Sequence, residues 1–189
     1  MNKLIKKIII ALSAVLIVVS LMECNILFAG SGEVVERVSD GDTLVLRGAD
    51  NQKFTVRLAC VDAPEIPHTN KEKNSRRVRD INQFNWGVKA QIRVQELVKQ
   101  SGDRVKLGII ESDRYGRKLA EVRLKNGTFI QQVLLEEGLA KVYRPYLTKC
   151  PSKDIIQQAE AQAQQQKLGV WNDRKFVDPW EYRKFRKAN

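Results

Sequence analysis

The sequence is poor in histidine and cysteine. It contains one histidine and three cysteines among 189 residues, and the cysteines are not clustered at metal-ligand spacing. A zinc site built from these residue types is therefore not expected. Internal repeats are absent as well. Hydrophobic residues make up 43% of the chain and charged residues 29%, which excludes a disordered tail and a disulfide-dense miniprotein.

Long apolar runs are also missing, except near the N terminus. Residues Ile8 to Met22 are almost all apolar and follow three lysines, a pattern that predicts an export signal over residues 1–30. A run of about fifteen residues is shorter than the ~20 of a membrane span, but Ile26 to Phe28 are apolar too, so an uncleaved anchor is an alternative. A lipid-attached Cys24 is another. Each version attaches or exports the chain outside the cytoplasm, as a secreted, periplasmic or outer-face protein.

Acidic residues are outnumbered by basic ones. The chain has 33 Lys and Arg against 22 Asp and Glu, for a net charge of +11. Without residues 1–30, which hold three lysines and one glutamate, the net charge is still +9. Such a chain should be attracted to polyanions. We predict one domain over residues 31–172, as expected at this length, a basic C-terminal tail over 173–189, and a monomer without an obligate protein partner.

Two cysteines remain beyond the predicted signal, Cys60 and Cys150. In an oxidising compartment an even pair favours a disulfide, which would close a long loop and stabilise the fold. Two buried free thiols are the alternative, because the sequence does not give the distance between them.

Alternating apolar residues predict short strands. Residues 44–47 and 54–58 alternate on either side of a Gly-Ala-Asp-Asn turn, and further strands are predicted at 105–109 and 122–124. Helices are predicted between and after these strands. This order fits an α+β fold dominated by a small antiparallel barrel with three helices packed outside it, and the five-stranded OB-fold is the commonest such barrel.

The three predicted helices are marked by apolar residues at helical spacing. The first follows Gly87, the second ends at Gly138, and the third is capped by Ser152 and ends near Gly169. Residues 66–82 have no periodicity and carry five basic residues. They are predicted to form an exposed basic loop.

Two carboxylates flank a glycine in the segment Asp40 to Thr43, where one predicted strand leads into the next. Residues two apart on an extended chain point to the same side, so Asp40 and Asp42 can share a face. Taken alone, Asp-Gly is also an ordinary turn sequence.

A second segment, Arg57 to Glu65, ends a strand with an arginine and two acids. Pro64 has no N–H group and ends the strand, so Asp62 and Glu65 project from its terminus. Arg57 and Asp62 are five residues apart, and they share a face only if a bulge or bend intervenes.

A third segment, Asp113 to Ala120, has the composition of a hairpin tip. By itself it reads as a solvated polar turn. Brought beside the first two segments, it would add a second guanidinium group and an aromatic ring.

These segments resemble, in order and roughly in spacing, those of the thermonuclease (staphylococcal-nuclease-like) family. The resemblance covers residues 33–172, and the segment from Asp178 to Lys184 resembles the tail of exported bacterial members. The matching segments are Asp40 to Thr43, Arg57 to Glu65, Asp113 to Ala120, Gly138 to Tyr143, Ala159 to Ala163 and Leu168 to Trp171.

The resemblance implies an OB-type barrel with three helices and calcium-dependent hydrolysis of DNA and RNA. Single strands would be preferred, and cleavage at the 5′ side of the phosphodiester would leave 3′-phosphates. Asp42, Asp62 and the Ala63 carbonyl would hold Ca²⁺, with Asp40 supporting them from behind.

The same resemblance implies three catalytic residues. Arg57 and Arg117 would bind the phosphate, and Glu65 would act on the attacking water. The residues implied to contact the nucleotide are Arg114, Tyr115 and Tyr143.

The chemistry of these residue types supports the same hypothesis. Carboxylate oxygens suit Ca²⁺, and arginines stay protonated and can grip two phosphate oxygens each. Crowded carboxylates without a cation would repel nucleic acid, which favours a nuclease over the alternative of a non-catalytic OB-fold module that binds single strands. A surface adhesin attracted to polyanions by charge alone is a third hypothesis.

Overall fold

The computed structural model describes residues 32 to 188. The predicted export signal, with its anchor and lipid-site alternatives, therefore lies outside the described residues. Within residues 32–188, none of the helices combines the length and the apolar character that crossing a membrane requires.

Of the seven strands in residues 32–188, five close into a barrel. The strand bounds are β1 Glu33–Val38, β2 Thr43–Arg47, β3 Lys53–Leu58, β4 Val61–Asp62, β5 Arg104–Ser112, β6 Lys118–Leu124 and β7 Lys141–Val142. The barrel order is β1, β2, β3, β6, β5, and β4 pairs with β7 outside it. The predicted α+β fold with a five-stranded OB barrel is confirmed, although β3 and β6 pair in parallel.

The apolar alternation along β2 and β3 fills the barrel. Leu44, Leu46, Val56 and Leu58 are almost completely buried, as expected when alternate side chains point inward. The register places Thr43 opposite Arg57. The start of β2 and the end of β3 are thus neighbours at one end of the barrel, and their polar residues emerge together.

Among the described residues, the structure contains the three predicted helices and two more α-helices. The helix bounds are α1 Asn70–Lys73, α2 Val78–Gln100, α3 Ile130–Glu136, α4 Lys153–Gln165 and α5 Pro179–Ala188. The second helix of the prediction corresponds to α3 and the third to α4.

The prediction of one irregular loop over residues 66–82 was wrong in part. Thr69 and Glu72 form a capping box that starts α1, a device that satisfies two backbone donors at a helix N terminus. Helix α2 then begins at Val78, well before Gly87. The basic side chains of this region are exposed, as predicted.

Ser152 does not cap α4 as predicted. It precedes the helix, but its side chain makes no capping hydrogen bond. Its hydroxyl and its backbone N–H instead donate to the carboxylate of Glu121, at 2.8 and 2.7 Å. The side chain of Ser152 therefore bonds the partly buried carboxylate of Glu121 on β6 instead of capping α4.

The segment predicted to be a basic tail contains α5, which is docked on the domain. Tyr182 is fully buried, and its hydroxyl donates to Asp80 of α2 at 3.0 Å. Its ring meets Phe84 edge to face, with centroids 6.0 Å apart. One turn further on, Arg186 pairs with Glu72. An aromatic anchor and an ion pair therefore fix this helix against α1 and α2.

Cys60 and Cys150 form a disulfide, with their Cα atoms 6.3 Å apart. The bond joins the end of β3 to the segment that follows a 3₁₀ helix, Arg144–Lys149. The Tyr143 N–H also donates to the Cys60 carbonyl at 2.9 Å. The chain after β7 is thereby held beside the β3–β4 connection.

Candidate functional site

A cleft of about 650 Å³ gathers the segments that the sequence singled out. The turn before β2, the β3–β4 connection, the β5–β6 hairpin and the chain after β7 all line it, and so does α5. The residues with predicted roles that line it are Asp40, Arg57, Asp62, Glu65, Arg114, Tyr115, Arg117 and Tyr143.

The predicted bend between Arg57 and Asp62 is present. Cys60 has a φ of +69°, a left-handed conformation that non-glycine residues seldom adopt. It separates β3 from β4, and the disulfide holds it there. As a result, an Nη atom of Arg57 lies 2.6 Å from Oδ1 of Asp62.

Asp42 joins this pair from the turn before β2. The other terminal nitrogen of Arg57 bonds Oδ1 of Asp42. The Ala63 N–H donates to Oδ2 of Asp42 at 2.8 Å, and the Asp42 N–H donates to Asp40 at 2.9 Å. One guanidinium group thus bridges two buried carboxylates, and Asp40 supports the turn that carries one of them.

Glu65 is positioned by a close approach between its backbone and α2. A Cβ atom added at Gly87 would lie 2.1 Å from the Glu65 carbonyl oxygen and 2.7 Å from that of Pro64. Only glycine lets the helix pass this close. Gly87 therefore sets the position of Glu65 from inside α2.

Replacing Gly87 with alanine should displace the Pro64–Glu65 segment. We expect a loss of about 1–3 kcal/mol in the free energy of unfolding, because the new methyl group overlaps backbone atoms, together with a loss of catalytic activity. Urea denaturation and substrate turnover measure the two effects. Gly108→Ala is the matched control, because a Cβ there meets nothing closer than 3.6 Å. Equal behaviour of the two variants would contradict this account.

A residue without a predicted role, Arg183 of α5, also contacts the acids. One of its terminal nitrogens lies 3.0 Å from Oδ1 of Asp62 and 2.7 Å from Oε1 of Glu65. The other bonds Oδ2 of Asp62. Proline at the first position of α5, followed by apolar residues three apart, could have predicted the helix. No sequence signal gives the direction in which Arg183 points.

The site carries more negative than positive charge. Two guanidinium groups, of Arg57 and Arg183, bond three of four clustered carboxylates, and the fourth, of Asp40, accepts the Asp42 N–H, so these six groups have a net charge of −2 when all are ionised. Burial raises the pKa of Asp42 to about 6, and Asp40 adds to the rise while Arg57 opposes it. Burial also raises the pKa of Asp62. The carboxylates of the site are Asp40, Asp42, Asp62 and Glu65.

The β5–β6 hairpin places Arg117 at the cleft but not on the acids. Its side chain bonds Asp113 at 2.7 Å, and the Arg117 and Tyr115 N–H groups donate to the same carboxylate. Burial alone would raise the pKa of Asp113, but these bonds, led by that from the Arg117 side chain, lower it. Arg114 lies against the exposed ring of Tyr115, 4.9 Å from its centroid.

Aromatic rings line the opposite part of the cleft. Tyr143 stacks on Tyr146, with centroids 6.0 Å apart and planes inclined by 27°. Trp180 of α5 lies 6.1 Å from Tyr143 on the other side. Both tyrosines are partly exposed, so they offer a surface on which a planar group could stack.

The acids fit a hard divalent cation in charge and in donor type. Carboxylate oxygens are the ligands that Ca²⁺ prefers, and an ion of charge +2 would balance the excess negative charge. Within residues 32–188, however, no three acidic, histidine or cysteine side chains already converge as a metal site. The oxygens of Asp42, Asp62 and Glu65 bond guanidinium groups instead.

Comparison with known proteins identifies the family of the chain. The family model described as Staphylococcal nuclease homologue matches residues 55–173. The chain belongs to this family. The chain is 31% identical over 161 residues to a protein of Shigella flexneri named Micrococcal nuclease, a match that spans 81% of this chain and 80% of the relative.

Two further relatives of this staphylococcal nuclease homologue carry endonuclease names. An Escherichia coli O157:H7 protein described as an uncharacterized endonuclease is 33% identical over 80% of this chain and 84% of its own. Endonuclease YhcR of Bacillus subtilis is 32% identical over 79% of this chain, but the match spans only 12% of that protein.

Residues from inside and outside the matched range meet at the cleft. Arg57, Asp62, Glu65 and Arg117 lie within residues 55–173. The turn that carries Asp42 and the helix that carries Arg183 lie outside it. In the structure these outer segments meet the inner ones at the same carboxylates, so the site needs the chain on both sides of the matched range.

Proposed function

We propose that this protein is a calcium-dependent nuclease that hydrolyses phosphodiester bonds of DNA and RNA. The observation that carries the proposal is the bridge from Arg57 to both Asp42 and Asp62, with Glu65 beside it in an open cleft. The names of two relatives support the broader assignment as a nuclease.

The arginines would bind the substrate phosphate. Arg57 lies at the cleft with its side chain 19% exposed, and Arg117 lines it from the hairpin with 31% exposed. Guanidinium groups form paired hydrogen bonds with phosphate oxygens. Charge that develops on those oxygens during attack would be neutralised by these two groups once they exchange their carboxylate partners for the phosphate.

Glu65 is the residue best placed to handle the attacking water. Its side chain is 23% exposed at the cleft, whereas Asp62 is almost fully buried. An ionised carboxylate within hydrogen-bond reach of a water molecule can orient it and accept its proton. Proton transfer from water to Glu65 Oε is thus the step that we assign to this residue.

Asp42 and Asp62 would hold the calcium ion, together with the Ala63 carbonyl. When bound, Ca²⁺ supplies positive charge that cancels the repulsion between these acids and an incoming phosphate. Asp40 would keep Asp42 in position through the hydrogen bond at the turn.

The rings and the hairpin would bind the nucleotide. Tyr143 and Tyr146 offer a stacking surface, and Tyr115 stands exposed beside Arg114. Bases stack on aromatic rings only when they are unpaired. We therefore propose that single strands are preferred. The 3′-phosphate products are proposed on the family resemblance alone.

Removal of calcium should abolish cleavage. Purified protein incubated with single-stranded DNA or RNA is expected to cut both in calcium and to lose at least about 100-fold in rate with excess chelator, because the acids then repel the phosphate. Gel analysis of labelled strands measures the rate, and end-group analysis should find 3′-phosphates.

Two outcomes would contradict the proposal. Cleavage that chelator leaves unchanged would remove the calcium requirement. Salt-sensitive binding of single strands without any scission in calcium would instead support a non-catalytic binding module.

A further inference from the structure

The C-terminal helix brings a cation to the position where a metal ion would meet the acids. Arg57 bonds Oδ1 of Asp62. Arg183 bonds the other oxygen, Oδ2, of Asp62 and also the carboxylate of Glu65. Asp62 therefore has two guanidinium neighbours, one from the barrel and one from α5. This arrangement satisfies the buried carboxylate while no metal ion is bound.

Arg183 can leave the acids without undocking its helix. Its side chain is 37% exposed, so part of it already faces solvent. The anchors of α5 are separate residues, because Tyr182 is buried against α2 and Arg186 pairs with Glu72. Rotation of one side chain would thus release Asp62 and Glu65 and leave the helix in place.

The helix presents a second cation to the cleft. Lys187 lies one turn beyond Arg183 and also lines the cleft, as residues four apart on a helix share a face. If the guanidinium group of Arg183 moved off the acids, it would remain on this face of the helix, beside the space that an anionic substrate would fill.

We propose that Arg183 is a positioning residue that acts as an internal counter-cation. It holds Asp62 and Glu65 in the metal-free protein, and a divalent cation must displace it to reach Asp62, which also frees Glu65 to act on the attacking water. The inference rests on the proposed function, since it concerns the same acids. Its consequence is that Arg183 weakens calcium binding and sets the calcium concentration at which the site is filled.

Calcium titration of the full-length protein, without nucleic acid, tests this proposal. At pH 8 and low ionic strength, isothermal calorimetry with calcium chloride should show about tenfold tighter binding to Arg183→Gln than to the wild type, because the ion no longer competes with a fixed positive charge. Arg183→Lys keeps the charge but loses the fork that bonds both acids, so it should fall between the two. The calcium concentration for half-maximal cleavage should shift by the same factors.

Lys184→Gln is the matched control. It removes one positive charge from the same helix, but Lys184 pairs with Glu181 on that helix and is not among the residues that line the cleft. Calcium affinity should not change in this variant, and thermal melting of all the variants checks that they fold.

The outcomes separate this inference from the proposed function. Calcium binding of wild-type strength or weaker in Arg183→Gln would overturn the counter-cation and leave a calcium-dependent nuclease intact. Binding in Arg183→Gln but none in the wild type would support the counter-cation and contradict calcium dependence. Absence of binding in both would overturn both.

Discussion

Replacement of Arg57 by glutamine is expected to lower the rate of cleavage at least about 100-fold, since one charge-assisted contact to the transition state is worth that much. The change should also lower the free energy of unfolding by about 3–5 kcal/mol at pH 8, because it leaves the buried Asp42 carboxylate without a cationic partner and Asp62 with Arg183 alone. Both Asp42 and Asp62 bond this guanidinium group, and both are almost fully buried.

The loss of stability should be smaller at pH 5. The pKa of Asp42 in the folded protein is about 6, above its usual 3.8. A raised carboxyl pKa means that the folded state holds a proton between about pH 4 and 6 that the unfolded state has lost, so this group favours folding less as the pH rises through that window. At pH 5 the carboxyl is largely neutral and needs no cationic partner.

Arg47 provides a control for this prediction. It pairs with Glu36 on neighbouring strands of the same barrel, but its side chain is 44% exposed. An exposed ion pair contributes about 0–1 kcal/mol, so Arg47→Gln should change stability little and cleavage not at all. Urea denaturation at both pH values and initial rates of cleavage measure the effects. A similar loss of stability in both variants would contradict the conclusion that Arg57 stabilises the fold by bridging Asp42 and Asp62.

The sequence predicted that Arg57 and Asp62 could meet only if the chain bends between them. It did not predict which residue forms the bend. The odd spacing required a bend, and Pro64 showed where the strand ends. The bend itself depends on Cys60, whose left-handed conformation and disulfide are properties of the folded chain. A cysteine has no local preference for that conformation, so no sequence pattern identified it.

The start of α2 and the role of α5 were not predicted because tertiary contacts decide them. Asp80 is buried and accepts bonds from Ser75, Arg77 and Tyr182, whereas its neighbours in the sequence are mostly polar. Without the docked helix the stretch from Val78 resembles a loop. Arg183 likewise acquires its partners only once Tyr182 has anchored α5.

In the β5–β6 hairpin, the residue types were sufficient to predict that Arg117 lies at the cleft. They did not predict the residue with which Arg117 pairs. Arg117 was expected to face the phosphate, and it does line the cleft. Its present partner is Asp113, four residues earlier on the same hairpin. The sequence contains both residues, but the turn geometry that joins them follows from the backbone bonds to Asp113.

Arg117 and Asp42 should affect different parameters when they are replaced. Arg117→Gln is expected to lower turnover about 100-fold or more and to leave calcium affinity unchanged, because the guanidinium group meets Asp113 and not the acids at Arg57. Asp42→Asn should reduce calcium affinity first, because it removes a charged ligand. Rates at saturating calcium and calorimetric titration without substrate separate the two parameters.

Arg93→Gln is the matched control for Arg117→Gln. Arg93 pairs with Glu137 and is 28% exposed, against 31% for Arg117, but it lies on α2 outside the residues that line the cleft. Both variants lose a half-buried ion pair, so their stabilities should fall by similar small amounts, and only Arg117→Gln should lose turnover. Equal loss of calcium affinity in Arg117→Gln and Asp42→Asn would mean that the hairpin arginine belongs to the metal site, and the division between phosphate-binding and metal-binding residues would be wrong.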